Sequence, residues 1–466
     1  MKYILLFLGS ILLFTPSKGQ ALSQQLATAV RQLEATPAMK YAIFSLYVAD
    51  AKTGKPVYAH NNNIGLAPAS TQKLFTSTAA FELLGPSFRY TMQLRHDGEI
   101  GAGRLKGNLY VVGSGDPTLG SWRWKETKDS VVLKQLLADC RRLGITRGID
   151  GAIIPYSVGF SHQGIPDGWI WQDIGNYYGA GAYGINWQEN QYDLHLRSGA
   201  TVNDPVSILE DSDPNSQYIN ELKSAAKGSG DNAYIYLSPV PGKMPLVAGT
   251  IPVNERSFAI SGALADPAMA LTKAFSAVLA GGGIDNSGQV DIVPVNTSSP
   301  DNWHTVSSIS SPPLDSINYW FLRRSINLYG EALVKTMAAQ QGAPAATDRG
   351  IELLRNFWQA RGIDKAAIHL LDGSGLSPQN RVTTTSLVQV LQYAKTRPWY
   401  SSFYHCLPEY NGMKMKSGSI GGARAFAGYH TARDGKEYSF AIIANNYDGS
   451  SGEMVKAMYQ VLNLLK

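Results

Sequence analysis

The sequence predicts an α/β protein whose main sheet is built from both ends of the chain, with helices on its faces and a long insertion between them. Three observations predict this. Two short β-rich runs near the N-terminus, residues 42–49 and 56–59, are joined by the turn Lys52-Thr53-Gly54-Lys55 and read as a hairpin. Three strand patterns of the same style, 413–418, 424–431 and 438–445, recur at the C-terminal end. The chain between them changes repeatedly from strand-like to helical periodicity and contains no internal repeat.

Taken in order, Met1-Lys2 is a minimal charged start, Ile4 to Phe14 is an apolar run broken only by Gly9 and Ser10, and Ser17-Lys18-Gly19 supplies small residues for cleavage. Residues 1–19 read as a secretory signal peptide, because the apolar core is far short of the roughly 20 residues that span a bilayer. No cysteine follows it to take a lipid, and no later stretch is long enough to cross a membrane, so contact with a membrane is at most peripheral. The expected location is the periplasm or cell-wall space.

A helix is predicted over 21–35, before the hairpin. Pro68-Ala69 then precedes Ser70, with Leu74, Phe75, Phe81, Leu83 and Leu84 on a helical spacing that ends at Gly85. Strands with glycine turns fill 92–152, together with an amphipathic helix over 130–143. Residues 153–239 are turn-rich and crowded with Trp169, Trp171, Tyr177, Tyr178, Tyr183 and Trp187, for which core packing is the simplest reading. A helix over 266–281, a strand near 289–293 and a linker at Ser298-Ser299-Pro300 follow. Helical patterns return over 314–341, 346–361 and 384–395, and an amphipathic helix over 452–465 closes the chain. Having few cations, that last helix reads as a core element rather than a membrane anchor.

Composition excludes several classes. At 466 residues the chain has room for about three domains, each with its own core. Hydrophobic residues at 44% and charged residues at 17% describe a globular protein, not a disordered one. The formal charge of +5 falls to +3 once Lys2 and Lys18 leave with the leader, too little over this length to argue for nucleic acid. Cys140 and Cys406, the only cysteines, form neither a disulfide framework nor a metal spacing; two buried thiols is the simpler reading, and a bridge between them stays open. No metal-binding His or Cys pattern, phosphate loop or dinucleotide fingerprint occurs, so neither metal nor cofactor is expected.

Ser70-Thr71-Gln72-Lys73 places a serine and a lysine on one face of a predicted helix. A serine hydroxyl is a poor nucleophile until a neighbouring base takes its proton, and a lysine serves when burial or nearby cations lower its pKa. Three short patterns each occur twice. S-x-x-K recurs at Ser224-Ala225-Ala226-Lys227, S-x-N occurs at Ser316-Ile317-Asn318 and Ser325-Ile326-Asn327, and K-[TS]-G occurs at Lys52-Thr53-Gly54 and Lys416-Ser417-Gly418. Only the copies at 70, 325 and 416 have the context such chemistry needs: a helix start, a helix junction and a strand facing a cleft.

In that order the motifs resemble the serine penicillin-binding proteins, and most closely the class C low-molecular-mass group of D-alanyl-D-alanine carboxypeptidase/endopeptidases. The resemblance includes Pro68-Ala69-Ser70-Thr71-Gln72-Lys73-Leu74-Phe75-Thr76, Gly113-Ser114-Gly115-Asp116-Pro117, Asp372-Gly373-Ser374-Gly375-Leu376-Ser377 and Ala427-Gly428-Tyr429, and covers nearly the whole mature chain. It implies a β-lactamase/transpeptidase-like domain, a five-stranded antiparallel sheet between helices, with two nested insertions. The expected limits are 20–91 and 304–466 for the catalytic domain, 92–152 and 240–303 for the first insertion, and 153–239 for the second.

The resemblance also implies roles. Ser70 would attack the carbonyl between two D-alanines at the end of a peptidoglycan stem peptide, and penicillins would acylate it as covalent inhibitors. Lys73 would be the base; Ser325 and Asn327 would relay a proton and orient the substrate. Lys416 would hold the substrate carboxylate and help depress the pKa of Lys73, with Ser417, Gly418 and Ser419 binding beside it and the Ser70 and Ser419 N–H groups forming an oxyanion hole. Asp173, in Trp169-Ile170-Trp171-Gln172-Asp173, would meet the free amine of the stem peptide's diamino acid. The chain departs from the pattern at Ile326, where Asp is usual, at Ser417, where Thr is commoner, and at Pro378, where relatives can carry an arginine. A serine β-lactamase or esterase on the same plan, and a non-catalytic peptidoglycan-binding protein, are the alternative readings.

Overall fold

The computed structural model describes residues 18–157, 159–211, 217–240, 242–286 and 303–466. Most of the leader, residues 1–17, and the strand and linker expected at 289–300 lie outside the described residues. The central sheet is antiparallel throughout, in the spatial order Glu409–Tyr410, Met413–Ile420, Ala423–Thr431, Glu437–Asn445, Ile43–Asp50, Pro56–His60. Five strands carry it and a two-residue ladder adds a sixth at one edge. Ile43–Asp50 pairs with Glu437–Asn445 along its whole length, from Ile43 opposite Asn445 to Asp50 opposite Tyr438, so the two chain ends close into one layer.

Glu437–Asn445 is buried at every position between its ends because both faces are covered. Alternation sends Phe440, Ile442 and Ala444 to one side, where helices Lys18–Glu34 and Ser451–Leu462 add Leu26, Val30, Met454 and Met458. The C-terminal helix is thus a core element. Ala441 and Ile443 face the other side with Ala425 and Ala427, small residues against which helices Lys73–Leu83, Asn327–Gln340 and Thr384–Lys395 pack through Phe75, Leu333 and Val390.

The insertion holds two four-stranded sheets, with helices Asp129–Arg142 and Pro267–Gly281 closing a core of Leu105, Val111, Leu136, Phe275 and Leu279. Beyond them, two three-stranded sheets enclose Leu194, Leu222, Ile235, Val247 and Ile260. The ladders move the expected limits. His304–Ser310 pairs with Thr91–His96, so the first insertion runs to Ser310 rather than 303. Leu246–Pro252 pairs with Ile219–Ala225 and Asn232–Tyr236, and Phe258–Ala263 pairs with Gln191–Arg197, so the second insertion runs to Ala263 rather than 239. It begins after Tyr156, since Ile153–Tyr156 lies in the first insertion's sheet.

Candidate active site

Ser70 lies in a 3-10 turn, Ala69–Gln72, that runs directly into helix Lys73–Leu83. The Thr71 hydroxyl donates to the Pro68 carbonyl at 2.7 Å and tightens the turn, and the Gln72 amide donates to Asp372 Oδ1 at 3.0 Å. Two glycines let other segments close on it. A Cβ on Gly418 would stand 2.5 Å from the Pro68 carbonyl oxygen. Gly375, at φ +84°, would bring a Cβ to 2.0 Å from the Ala69 carbonyl oxygen.

Lys73, at i+3, is fully buried and uses all three of its N–H donors: to Ser70 Oγ at 2.9 Å, Asn327 Oδ1 at 2.7 Å and the Ser374 carbonyl at 2.7 Å. Burial drives its pKa from 10.5 down to about 7, against the opposing pull of the Asp372 and Glu331 carboxylates. Near neutral pH a large share of Lys73 is therefore the free amine, whose lone pair can accept the Ser70 proton.

Ser325 occupies the joint between helices Leu314–Arg323 and Asn327–Gln340 at φ +57°, a left-handed backbone that costs a serine about 1–3 kcal/mol. The bend lets Asn327 begin one helix facing Lys73 while Ser325 Oγ accepts from Lys416 Nζ at 3.0 Å. Lys416, on Met413–Ile420 and 1% exposed, also donates to the Ser417 carbonyl at 2.8 Å. Its pKa lies well below 10.5, by burial first and the nearby Lys73 charge second. Lys73 in turn is depressed first by burial. The Asn327 amide donates to the Tyr178 carbonyl at 2.7 Å and ties the second insertion to the site.

The cleft, about 1160 Å³, is lined by Ser70, Asp173, Tyr178, Ser325, Asn327, Ser417 and Ser419. Gly418 lies beneath it against the nucleophile turn. All the residues expected from sequence therefore converge on one region. Asp173 bonds the Tyr178 hydroxyl, and burial pushes its pKa up to about 6. Pro378 lines the cleft, which takes its cationic side chains from Arg123, Arg324 and Arg424.

The second copies of the motifs stand elsewhere. Ser224 is on a strand and accepts from the Gly199 N–H, Ser316 accepts from the Trp124 indole within a helix, and Lys52-Thr53-Gly54 is a turn held by Asp50. Cys140 and Cys406 are free, buried in separate cores, and pushed up to about 12 by desolvation. Among the described residues no acidic, His or Cys cluster could hold a metal, and no helix is long and apolar enough to cross a membrane.

Two supporting carboxylates received no role from sequence. Asp372, fully buried, accepts from Gln72, Gly375 N and Asn380 at Oδ1 and from the Trp169 indole and Ser377 N at Oδ2. It thereby shapes the loop whose Ser374 carbonyl holds Lys73. Glu331, one turn after Asn327, accepts the Gly373 N–H at 3.1 Å on both oxygens, and burial and Asp372 push it up to about 8. Lys335, a turn further on, donates to the Gln163 and Ala182 carbonyls at 2.7 Å. The available signal was spacing: Asn327, Glu331 and Lys335 fall at i, i+4 and i+8, a polar stripe on a helix buried on all sides.

A family model described as the D-Ala-D-Ala carboxypeptidase 3 (S13) family matches residues 24–409. A D-alanyl-D-alanine carboxypeptidase from an Actinomadura species is 26% identical over 444 residues, 89% of this chain and 79% of that protein. The D-alanyl-D-alanine carboxypeptidase DacB of Haemophilus influenzae is 25% identical over 417 residues, 85% of this chain and 83% of that one. The crystal structure of penicillin binding protein 4 from the same organism superposes with a TM-score of 0.76 at 22% identity, covering 96% of this chain and 99% of that one, a likeness of fold.

Proposed function

The chain belongs to the D-Ala-D-Ala carboxypeptidase S13 family, and from that premise we propose that it works by acyl transfer through Ser70. It is a serine-type D-Ala-D-Ala carboxypeptidase acting on peptidoglycan. The observation that carries the mechanism is the contact of buried Lys73 Nζ with Ser70 Oγ at 2.9 Å, at a pKa of about 7.

In the first half-reaction Ser70 Oγ bonds to the carbonyl carbon of the penultimate D-alanine while its proton passes to neutral Lys73. The N–H groups of Ser70 and Ser419 stabilise the oxyanion, worth about 2.7–4 kcal/mol per donor in comparable enzymes. The C–N bond then breaks. The proton held by Lys73 reaches the departing amine through Ser325, which takes up one proton as it gives up its own and is hydrogen-bonded to Lys416, so Lys73 is neutral again and D-alanine leaves. Lys416 and Ser417 hold the terminal carboxylate, whose arrival favours the charged form of Lys416. Asn327 orients the acyl group. Water then attacks the ester, returning the hydrogen to Ser70 and releasing the shortened peptide.

Asp173, held by Tyr178 in the same cleft, receives the cationic side chain of the stem peptide. The same acyl step, with a cross-linked amine as leaving group, gives D,D-endopeptidase activity. A penicillin, lacking a leaving group that diffuses away, acylates Ser70 durably. The leader directs export, so the enzyme acts in the periplasm or cell-wall space with peripheral membrane contact at most.

Intact-mass spectrometry with peptide mapping after incubation with benzylpenicillin tests the reading. The expected result is one adduct on Ser70 that is lost slowly and is absent from Ser70→Ala. Rapid loss would assign the protein to the β-lactamases; absence of an adduct, or an adduct on Ser224, would refute the site.

A further inference from the structure

The strand Asn232–Tyr236 turns Ala233 and Ile235 into the small core of the second insertion, so Tyr234 and Tyr236 share its outer face. Tyr234 lines the active-site cleft. Tyr236 neighbours it with ring centroids 6.3 Å apart, and the Trp171 ring is 4.9 Å from that of Tyr236. The Trp171 indole N–H donates to the Leu237 carbonyl at 2.7 Å, which fixes the ring while leaving the residue 51% exposed. Tyr177, at the cleft wall, is 54% exposed. Neighbouring aromatic rings held partly out of water by a hydrogen bond and by one another, beginning with a residue that lines a catalytic cleft, mark a surface that a ligand covers.

The occupant follows from the chemistry beside the rings. Gln172 and Gln191 also line the cleft, each offering two N–H donors and a carbonyl acceptor. Aromatic faces attract the apolar C–H face of a pyranose through their negative quadrupole, while planar amides match hydroxyl and acetamido groups. We propose that Tyr234, Tyr236 and Trp171 form a track for the glycan part of the substrate, holding the N-acetylated sugar that carries the stem peptide while the peptide end reaches Ser70. The proposal rests on the reading of the cleft as the site of peptidoglycan hydrolysis, and commits the track to sugar rather than to a second peptide.

The test compares N-acetylglucosaminyl-N-acetylmuramyl pentapeptide with the same pentapeptide lacking sugars, using the full chain. Trp171→Ala and Tyr236→Ala should each lower kcat/KM for the sugar-bearing substrate by about tenfold, mainly through KM, and leave the bare peptide within about twofold. Trp171→Phe, which keeps a ring, should recover most of the loss. Equal losses on both substrates, no loss on either, or a wild type indifferent to the sugars would overturn the track. Benzylpenicillin acylation of Ser70 separates the two readings: if it fails in the wild type the functional assignment falls, and if it persists in a variant the reaction centre is intact. Should Trp171→Ala lose acylation through misfolding, Tyr236→Ala decides alone.

Discussion

Acidification should switch off acylation, and the structure sets the midpoint. Lys73 must be neutral to take the Ser70 proton, yet its three hydrogen bonds are those of a buried donor. The fall from 10.5 to about 7 corresponds to about 5 kcal/mol of ammonium hydration lost on burial and not recovered from Asp372 and Glu331. At a midpoint of about 7, roughly 90% of Lys73 is free amine at pH 8, half at pH 7 and about 1% at pH 5. The second-order acylation constant for benzylpenicillin should therefore fall about 90-fold from pH 8 to pH 5, with a limiting slope of tenfold per unit. Stopped-flow or rapid-quench acylation across that range measures it directly.

Acylation has an advantage over turnover, because deacylation and product release cannot mask the step. The midpoint belongs to the interacting group, so a variant helps to assign it. Glu331→Gln deletes a carboxylate that favours the protonated amine and should move the midpoint downward by a fraction of a unit, since burial keeps Glu331 largely protonated near neutrality. A flat profile between pH 8 and 5, or a midpoint near the ordinary lysine value, would refute Lys73 as the base.

Gly375→Ala places a methyl 2.0 Å from the Ala69 carbonyl oxygen at φ +84°, so thermal unfolding should shift down by several degrees and acylation should drop at least about tenfold. Native Cys140 and Cys406 should resist a thiol-alkylating reagent and both react after denaturation without a reductant, because they are free and buried in separate cores. Labelling only after reduction would show that they pair.

Sequence carried much of the catalytic centre because its signals are local. Ser70 and Lys73 share a face through helical spacing alone, and Thr384–Lys395 and the terminal strands are legible from 3.6- and 2-residue periodicity. The choice among duplicated motifs was also local, since Ser224 lies in a polar stretch with no apolar helix after it and Lys52 in a hairpin turn. The limits of the insertions were not legible. They are set by ladders such as Thr91–His96 with His304–Ser310, which join segments some 200 residues apart and leave no trace in either segment's own pattern.

What the sequence determined by itself was which residues carry chemistry and in what order: a serine and a lysine one helical turn apart, a serine and an asparagine at a helix junction, and a lysine on a strand. What only the tertiary structure decided was the protonation state and the support of those groups. Whether Lys73 is an ammonium or an amine depends on its burial among Ser70, Asn327 and Ser374, the last two 254 and 301 residues from it in sequence. The role of Asp372 depends likewise on five donors drawn from three separate stretches of chain. Desolvation is a property of what surrounds a side chain in space, and residue type and spacing do not encode it.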